Sequence, residues 1–257
     1  MLAKDRQNQI LSIIQSQNSI KIADIIRDFH VSHETARRDL DILQDQNLIK
    51  RVHGGAVLAD DAQNLQPELQ QATPPSSMAE RIAIGKAAAG MIKDGDTVFL
   101  SVGLTNHQVA KAIKKRKNIT VLTNSVLVLN ELLNSDIQLY ILGGSVNNSE
   151  SNIEGDLAIQ TLSNFYVDIA FISAGGVSDQ NGISDYSLEV AKLNRYIIER
   201  AKKSVLAVHA KKFDKTCLSI TCPLDAVDTV ITDSGVSDKY KEILNENEIE
   251  IVLAASK

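Results

Sequence analysis

VSHETARRDLDILQDQNLIKRVHGGAVL, residues Val31 to Leu58, is the stretch on which the reading of the chain turns. Ser32 makes a good helix N-cap, because its hydroxyl can accept from a backbone N–H that the first helical turn leaves without a partner. Ala36, Leu40 and Leu43 then recur at helical spacing and form a buried stripe. His33, Glu34 and Thr35 occupy the first turn, and Arg37 and Arg38 follow one turn later, opposite the stripe. After Asn47 the pattern changes to Leu48 and Ile49, the basic residues Lys50, Arg51 and His53, then Gly54-Gly55, Val57 and Leu58. Two short β-like runs around a Gly-Gly turn predict a hairpin.

Upstream, Ile10, Leu11, Ile13 and Ile14 fit a first helix ending near Ser16 to Asn18. Ile22, Ile25, Ile26 and Phe29 fit a second, and the turn to the third runs only from Asp28 to Val31. That length is the length of a helix-turn-helix, and the following hairpin makes it a winged one. A helix seated in the major groove presents its first residues to base edges and phosphates. Arginine pairs bidentately with guanine, while serine and threonine contact bases or phosphates. Ser32, His33, Glu34, Thr35, Arg37 and Arg38 on the helix, with Lys50, Arg51 and His53 on the wing, are therefore the candidate DNA-contacting residues. The competing reading pairs Arg37 and Arg38 with Asp39, Asp41 or Asp45 on a solvated face. The coincidence of short turn, capped helix and basic wing favours DNA.

The chain has 257 residues, enough for a real core without disulfide or metal staples. Its formal charge of −5 argues against nucleic acid only as an average. Residues 1–58 hold eight Lys/Arg against seven Asp/Glu, and the acidic excess lies in the remainder, 19 against 25. Phosphate binding depends on the local field, so the total is a weak veto. The longest apolar runs, such as Ser204 to Val208, fall far short of a membrane span, and MLAKDRQNQIL holds no apolar stretch of leader type. The expectation is a cytoplasmic protein with no membrane partner. Cys217 and Cys222 are too few for a disulfide framework and match no zinc spacing, so they read as reduced core or loop residues, with no metal expected.

Residues 59–77, with Pro67, Pro74 and Pro75 among glutamines, read as a linker, with a short helix possible around Pro67 to Gln71. Two domains follow, 1–58 and 78–257. In the second, apolar runs at 97–100, 119–123, 138–142, 168–174, 204–208, 229–233 and 249–253 alternate with amphipathic helical runs. Such a rhythm predicts an α/β domain, a mostly parallel sheet covered by helices on both faces.

Small polar residues and glycines follow these strands: Ser101, Gly103, Thr105 and Asn106 after the first, Asn124 and Ser125 after the second. Gly143 and Gly144 follow the third, and Gly175 and Gly176 the fourth; His209 and Lys212 come after the fifth. Ligands of open parallel sheets bind beyond the carboxyl ends of strands, and glycine turns that feed helix N-termini offer N–H groups to anions. These residues are the candidate effector site, for a small anionic ligand. Any single loop is also what a βα turn needs for its geometry, and none is a dinucleotide or Walker A loop. His107 reads as structural, and Lys111 to Lys117 as a solvated helix end.

The run from Val31 to Leu58 resembles the winged helix-turn-helix of the DeoR family of bacterial transcriptional regulators. Its pattern V-S-x-x-T-x-R-R-D-L, then L-x-R-x-H-G-G-A, is met by Val31, Ser32, Thr35, Arg37, Arg38, Asp39, Leu40, Arg51, His53, Gly54, Gly55 and Ala56, with Ile49 for the usual leucine. The second half resembles the family's sensor domain, which is similar to ribose-5-phosphate isomerases. Gly103 and Thr105 match D-S-G-T-T, while Ser101 stands where the family has aspartate. Thr123-Asn124-Ser125, Gly143-Gly144, Gly155 and the D-x-A-F set of Asp168, Ala170 and Phe171 also match. Lys212 and Phe213 keep the end of D-x-S-K-F, with His209 in place of its aspartate. The resemblance implies a repressor of a carbohydrate-metabolism operon, homo-oligomeric as dimer or tetramer. It implies operator DNA and a phosphorylated sugar or related metabolite as partners, and no cofactor. The alternative is a sugar-phosphate isomerase-like enzyme with an appended DNA-binding domain, for which Asp168 and Asp185 remain as acid/base candidates.

Overall fold

The computed structural model describes residues 3–17, 19–45, 48–52, 55–58 and 75–255; His53, Gly54 and the possible helix at Pro67 to Gln71 lie outside them. The chain divides into two compact units, Met1–Ala72 and Thr73–Lys257.

In the first unit, α1 (Ala3–Gln17), β1 (Ser19–Lys21), α2 (Ile22–Phe29) and α3 (His33–Asp45) precede the hairpin of β2 (Ile49–Val52) and β3 (Gly55–Leu58). The three helices and the hairpin stand where the apolar spacing places them. The additional strand β1 pairs antiparallel with β3, Ile20 opposite Ala56, so the wing is a three-stranded sheet in the order β1-β3-β2. Three residues are too short for a period-2 pattern to register in sequence. Ile10, Ile14, Ile25, Ala36, Leu40 and Leu43 close the core against Ile20, Ile49 and Ala56. His30 takes a positive φ of 53° at the turn, which brings α3 in sharply behind α2.

The second unit is α/β. All seven apolar runs are strands of one parallel sheet: β4 (Thr97–Leu100), β5 (Thr120–Thr123), β6 (Gln138–Ile141), β9 (Ile169–Ile172), β12 (Lys203–Ala207), β14 (Thr229–Asp233) and β15 (Glu250–Ala254). Their order is β15-β14-β12-β9-β4-β5-β6. The helices α4 (Pro75–Met91), α5 (Leu104–Ile113) and α6 (Val126–Leu132) cover one face, where Ile84, Val109 and Val128 pack on Val98, Leu100 and Phe171. On the other face α7 (Asp156–Leu162), α8 (Leu188–Ile198) and α9 (Asp238–Glu246) set Leu162, Leu193 and Tyr240 against Phe99, Ile172 and Leu206. The chain lays β5 and β6 on one side of β4, then crosses back to place β9 on the other. The reversal between β4 and β9 is a topological switch point, where neighbouring loops part and leave a crevice.

Two smaller sheets sit on this frame. β7 (Ser145–Asn147) and β8 (Asn152–Glu154) form a hairpin, and β10 (Gly176–Ser178), β11 (Gly182–Asp185) and β13 (Ser219–Cys222) an antiparallel sheet. Their mixed, short sequences carry no clear period, and the sequence reading does not anticipate them. α4 begins at Pro75, inside the stretch read as linker up to residue 77. Proline is well placed in the first helical turn, where its missing N–H is not needed, so Pro75 starts a helix there.

The Lys111–Lys117 run is spread over local partners: Lys114 pairs with Glu131 at 2.9 Å and Lys117 with Asp136 at 2.9 Å. Cys222 is buried, and burial pushes its thiol up to about 12, whereas Cys217 is partly exposed. Only a thiolate reacts. At pH 8, a disulfide reagent should therefore titrate one thiol rapidly in the native protein and the second only after addition of denaturant. Two fast thiols would contradict the placement of Cys222.

Candidate DNA interface and strand-end site

Ser32 caps α3: its Oγ accepts from Thr35 N at 3.2 Å and lies 2.9 Å from Thr35 Oγ1. His33, Glu34, Arg37 and Arg38 are exposed, and Thr35 is half-buried. The helix therefore presents four of its sequence-designated residues on one outer surface, with Ala36, Leu40 and Leu43 on the core side. Lys50 and Arg51 lie on β2 of the wing.

Asp39 answers one part of the competing ion-pair reading. It points inward, 2% exposed, and accepts from Arg6 Nε at 2.5 Å, Arg6 Nη2 at 3.2 Å and Gln7 Nε2 at 2.9 Å. The bidentate contact ties α1 to the back of α3 and raises the Arg6 pKa, chiefly through the Asp39 hydrogen bond. Asp41 remains exposed, one turn along from Arg37.

In the second unit, the turns after β4, β5 and β9 are hydrogen-bonded together around the switch point, while the Gly143-Gly144 turn after the edge strand β6 lies against Thr161, Ile153 and Glu154. Ser101 is fully buried and donates Oγ–H to Asn194 Oδ1 at 2.7 Å, reaching across from β4 to α8. Asn194 Nδ2 in turn donates to the Ser173 carbonyl at 3.4 Å, and the Ser173 hydroxyl donates to the Val102 carbonyl. Val102 N donates to Asn124 Oδ1 at 3.0 Å. Gly103 has φ +143°, and a Cβ there would lie 2.6 Å from Ser173 Oγ. Glycine thus lets the turn after β4 close on the turn after β9. Thr105 and Asn106 are buried in the first turn of α5, Asn106 donating to the carbonyls of Ser101 at 3.0 Å and Phe171 at 3.1 Å. Ser125 caps α6 through Val128 N at 3.3 Å. Gly143 and Gly144 join β6 to β7, and Gly175 and Gly176 lead into β10.

The basic groups come from other elements. Arg81 on α4 is buried, and its Nη2 donates to His209 Nε2 at 3.3 Å. Arginine has no acceptor, so the imidazole nitrogen facing it accepts. α4 and α5 run in the same direction: Gly85 lies against Gln108 and Val109, and Arg116 donates to the carbonyls of Ala89 and Ile92. Arg81, one turn before Gly85, is accordingly level with the start of α5, at the strand-end edge. Residues 209–212 form a short turn pinned by Asp233, whose Oδ2 accepts from Ala210 N at 2.7 Å. That turn carries His209 to the α4 side and Lys212, also buried, toward Tyr186, its Nζ 5.8 Å from the ring centre.

Sequence reasoning did not pick out Arg81, Asn194, Asp233 or Tyr186. Arg81 sits beside Glu80 and near Lys86 in α4 and reads like any solvated charge, and Asn194 interrupts the buried stripe of α8; both are weak signals. Asp168, matched by motif, lies at the opposite, N-terminal edge of the sheet, where its Oδ2 accepts from Thr97 N at 2.9 Å. His107 stands 3.4 Å from Glu131; burial lowers its pKa, then Lys111, with Glu131 opposing. Among the described residues no cluster of metal-ligating groups occurs, and no helix is long and apolar enough to cross a membrane.

Comparison with known proteins matches residues 6–62 to the DeoR-like helix-turn-helix domain and residues 76–234 to the DeoR C terminal sensor domain. The chain is 34% identical over 247 residues to the lactose phosphotransferase system repressor of Lactococcus lactis subsp. lactis, spanning 94% of this chain and 95% of that protein. It is 32% identical over 234 residues to the transcriptional repressor AccR of Agrobacterium fabrum, 90% of each. With the glycerol-3-phosphate regulon repressor of Escherichia coli it shares 28% over 254 residues, 98% of this chain and 100% of that one. Among solved structures, ribose 5-phosphate isomerase A from Methanocaldococcus jannaschii is similar with a TM-score of 0.40 and 17% identity over 54% of each chain.

Breaking one side of a buried ion pair strands the other charge. Arg6→Ala should destabilise the first unit by about 3 kcal/mol, the low end for such a pair because the arginine keeps some solvent contact. Arg37→Ala, an exposed change, should stay within about 0.5 kcal/mol. Urea denaturation followed by circular dichroism measures both; equal effects would show that the pair does not hold α3.

Proposed function

The chain belongs to the DeoR family of transcriptional regulators, and on that premise we propose that it represses a carbohydrate-metabolism operon, docking α3 in the major groove of operator DNA under the control of a phosphorylated sugar or related metabolite. The observation that carries the DNA reading is the outer face of α3, with Ser32, His33, Glu34, Arg37 and Arg38, fixed from behind by the Arg6–Asp39 pair. A helix held that firmly can offer the same side chains in the same register at every encounter. Arg37 reads a base edge in this proposal, while Arg38, Lys50, Arg51 and His53 meet phosphates.

The effector is assigned to the strand-end edge at the switch point. Arg81 and Lys212 supply positive charge there, with His209 held beside Arg81 as a hydrogen-bonding group, in surroundings of low dielectric where a phosphate is held strongly. The turns at Ser101 to Asn106, Asn124 and Ser125, Gly143 and Gly144, and Gly175 and Gly176 shape the rest. No metal or organic cofactor is required. Turnover is left out: the Ser101 hydroxyl is engaged by Asn194, and Asp168 sits at the far edge.

Two or more copies associate in this mechanism, so that paired recognition helices meet half-sites one helical turn, or a multiple, apart. The effector favours an arrangement of the copies that no longer fits the operator, which demands different affinity for the two states. The protein works in the cytoplasm, where its DNA is.

Fluorescence anisotropy against the DNA upstream of its own operon tests the proposal. Binding should be sequence-selective and weakened by one phosphorylated sugar. Arg38→Ala should weaken binding to all sequences alike and reduce the salt slope by about one. Arg37→Ala should cost about 1–3 kcal/mol and relax preference at one base position. Binding no stronger than to random DNA would contradict the operator assignment.

A further inference from the structure

Four asparagines are buried around the switch point: Asn106, Asn124, Asn152 and Asn194. Their carboxamides are used very differently. Asn124 accepts from Val102 N and donates to the Ile153 carbonyl at 3.3 Å. Asn194 accepts from Ser101 and donates to Ser173. Asn106 uses its amide N–H groups, but its Oδ1 has no hydrogen-bond partner. Asn152 is wholly buried and neither its Oδ1 nor its Nδ2 makes a hydrogen bond.

Asn152 is not there to hold the fold by its side chain. Its strand β8 is fixed through the backbone: Ile153 N donates to the Asn124 carbonyl at 2.7 Å, Val126 N to the Ser151 carbonyl at 2.9 Å, and Ser125 and Asn152 form an isolated antiparallel bridge. These bonds lock Asn152 beside the Thr123-Asn124-Ser125 turn, at the carboxyl end of β5. The other face of the strand is taken by Ile153, which lies against Gly144, and β8 packs against α6, α7 and α8. By contrast the half-exposed Asn147, across the hairpin, is fully engaged with Ser149, Glu150 and Glu154. A buried polar group is ordinarily satisfied and an exposed one left to solvent, so this hairpin inverts the usual order.

A carboxamide offers two donors and two acceptor lone pairs, and burying it without partners carries a desolvation penalty that a bound ligand can lift. A sugar hydroxyl, donor and acceptor at once, is the complementary group. We propose that Asn152 is a specificity-determining residue of the strand-end site, reading the hydroxyls of a polyhydroxylated phosphorylated ligand, with Asn106 Oδ1 accepting from a second hydroxyl. The inference rests on the effector reading above and deepens it. The basic groups recognise the anion; the asparagines recognise the carbohydrate to which it is attached.

The two roles separate by thermal denaturation and calorimetric titration of the full chain with glucose 6-phosphate, fructose 6-phosphate, ribose 5-phosphate, glycerol 3-phosphate and inorganic phosphate. In the wild type, at least one sugar phosphate should bind more tightly than inorganic phosphate. Asn152→Ala should leave the unliganded melting temperature unchanged or raised, because it removes an unsatisfied group. The same variant should weaken that sugar phosphate about 10–100-fold while leaving inorganic phosphate unchanged. Asn152→Ser, which replaces the carboxamide with a smaller hydrogen-bonding group, should fall between the wild type and the alanine variant and covers the case in which the alanine variant folds poorly. Unchanged sugar-phosphate affinity in both variants, or a lowered unliganded melting temperature with affinity kept, would overturn the inference and leave the effector reading standing. Failure of every phosphate compound to bind the wild type would overturn the effector reading, and the inference with it.

Discussion

A parallel sheet brings the carboxyl ends of all its strands to one edge, and this one reverses its strand order between β4 and β9. Almost everything about the second unit follows from that constraint. The chain leaving β4 runs into α5 and the chain leaving β9 runs toward β10, so groups from both turns are brought side by side at this point. The structure ties these turns together with buried polar bridges, Ser101 to Asn194 and Ser173 to Val102. Such bridges fix distance and direction together, which hydrophobic contacts do not. A glycine at position 103 keeps the two turns close enough for those bonds to form.

The first unit depends on a different device. Its core is small, and α3 must keep its outer face at a set angle while nearly all its own side chains there point to solvent. The Arg6–Asp39 pair fixes the helix from the inside, adding direction to the packing of Ala36, Leu40 and Leu43. An ion pair of this kind adds little net stability over an apolar substitute, but its geometry is specific. That is what a recognition helix needs. At the strand-end edge of the second unit, the turn 209–212 sends His209 toward Arg81 and Lys212 toward Tyr186, so one short segment gathers groups from two sides of the sheet.

Much of this was legible in the sequence because it is local. The five inner parallel strands are largely apolar runs buried on both faces, and the edge strands β6 and β15, though partly exposed, still carry enough apolar residues to read as strands. Ser32 with its following stripe is complete within a few residues. What escaped is either short or distant in sequence. β1, β7, β8 and β10 have three residues each and owe their form to partners elsewhere. Arg81 meets His209 across 128 positions and Ser101 meets Asn194 across 93, separations that no spacing rule reaches. Asp168, matched by motif, immediately precedes β9 and so belongs to the edge away from the strand-end site. Asn152 lay unmarked in a polar run because nothing in sequence tells a buried asparagine from a solvated one.

The central claim is that two sites on one chain, the outer face of α3 and the strand-end edge, share one conformational equilibrium. Thermodynamic linkage makes the coupling reciprocal. The direct measurement is the affinity of the chain for its best phosphorylated sugar by calorimetry, free and saturated with operator DNA. The account predicts that operator DNA weakens the sugar phosphate by the same factor by which the sugar phosphate weakens operator binding, within roughly 5–150-fold. Equal affinity for the free and the DNA-bound protein would contradict it.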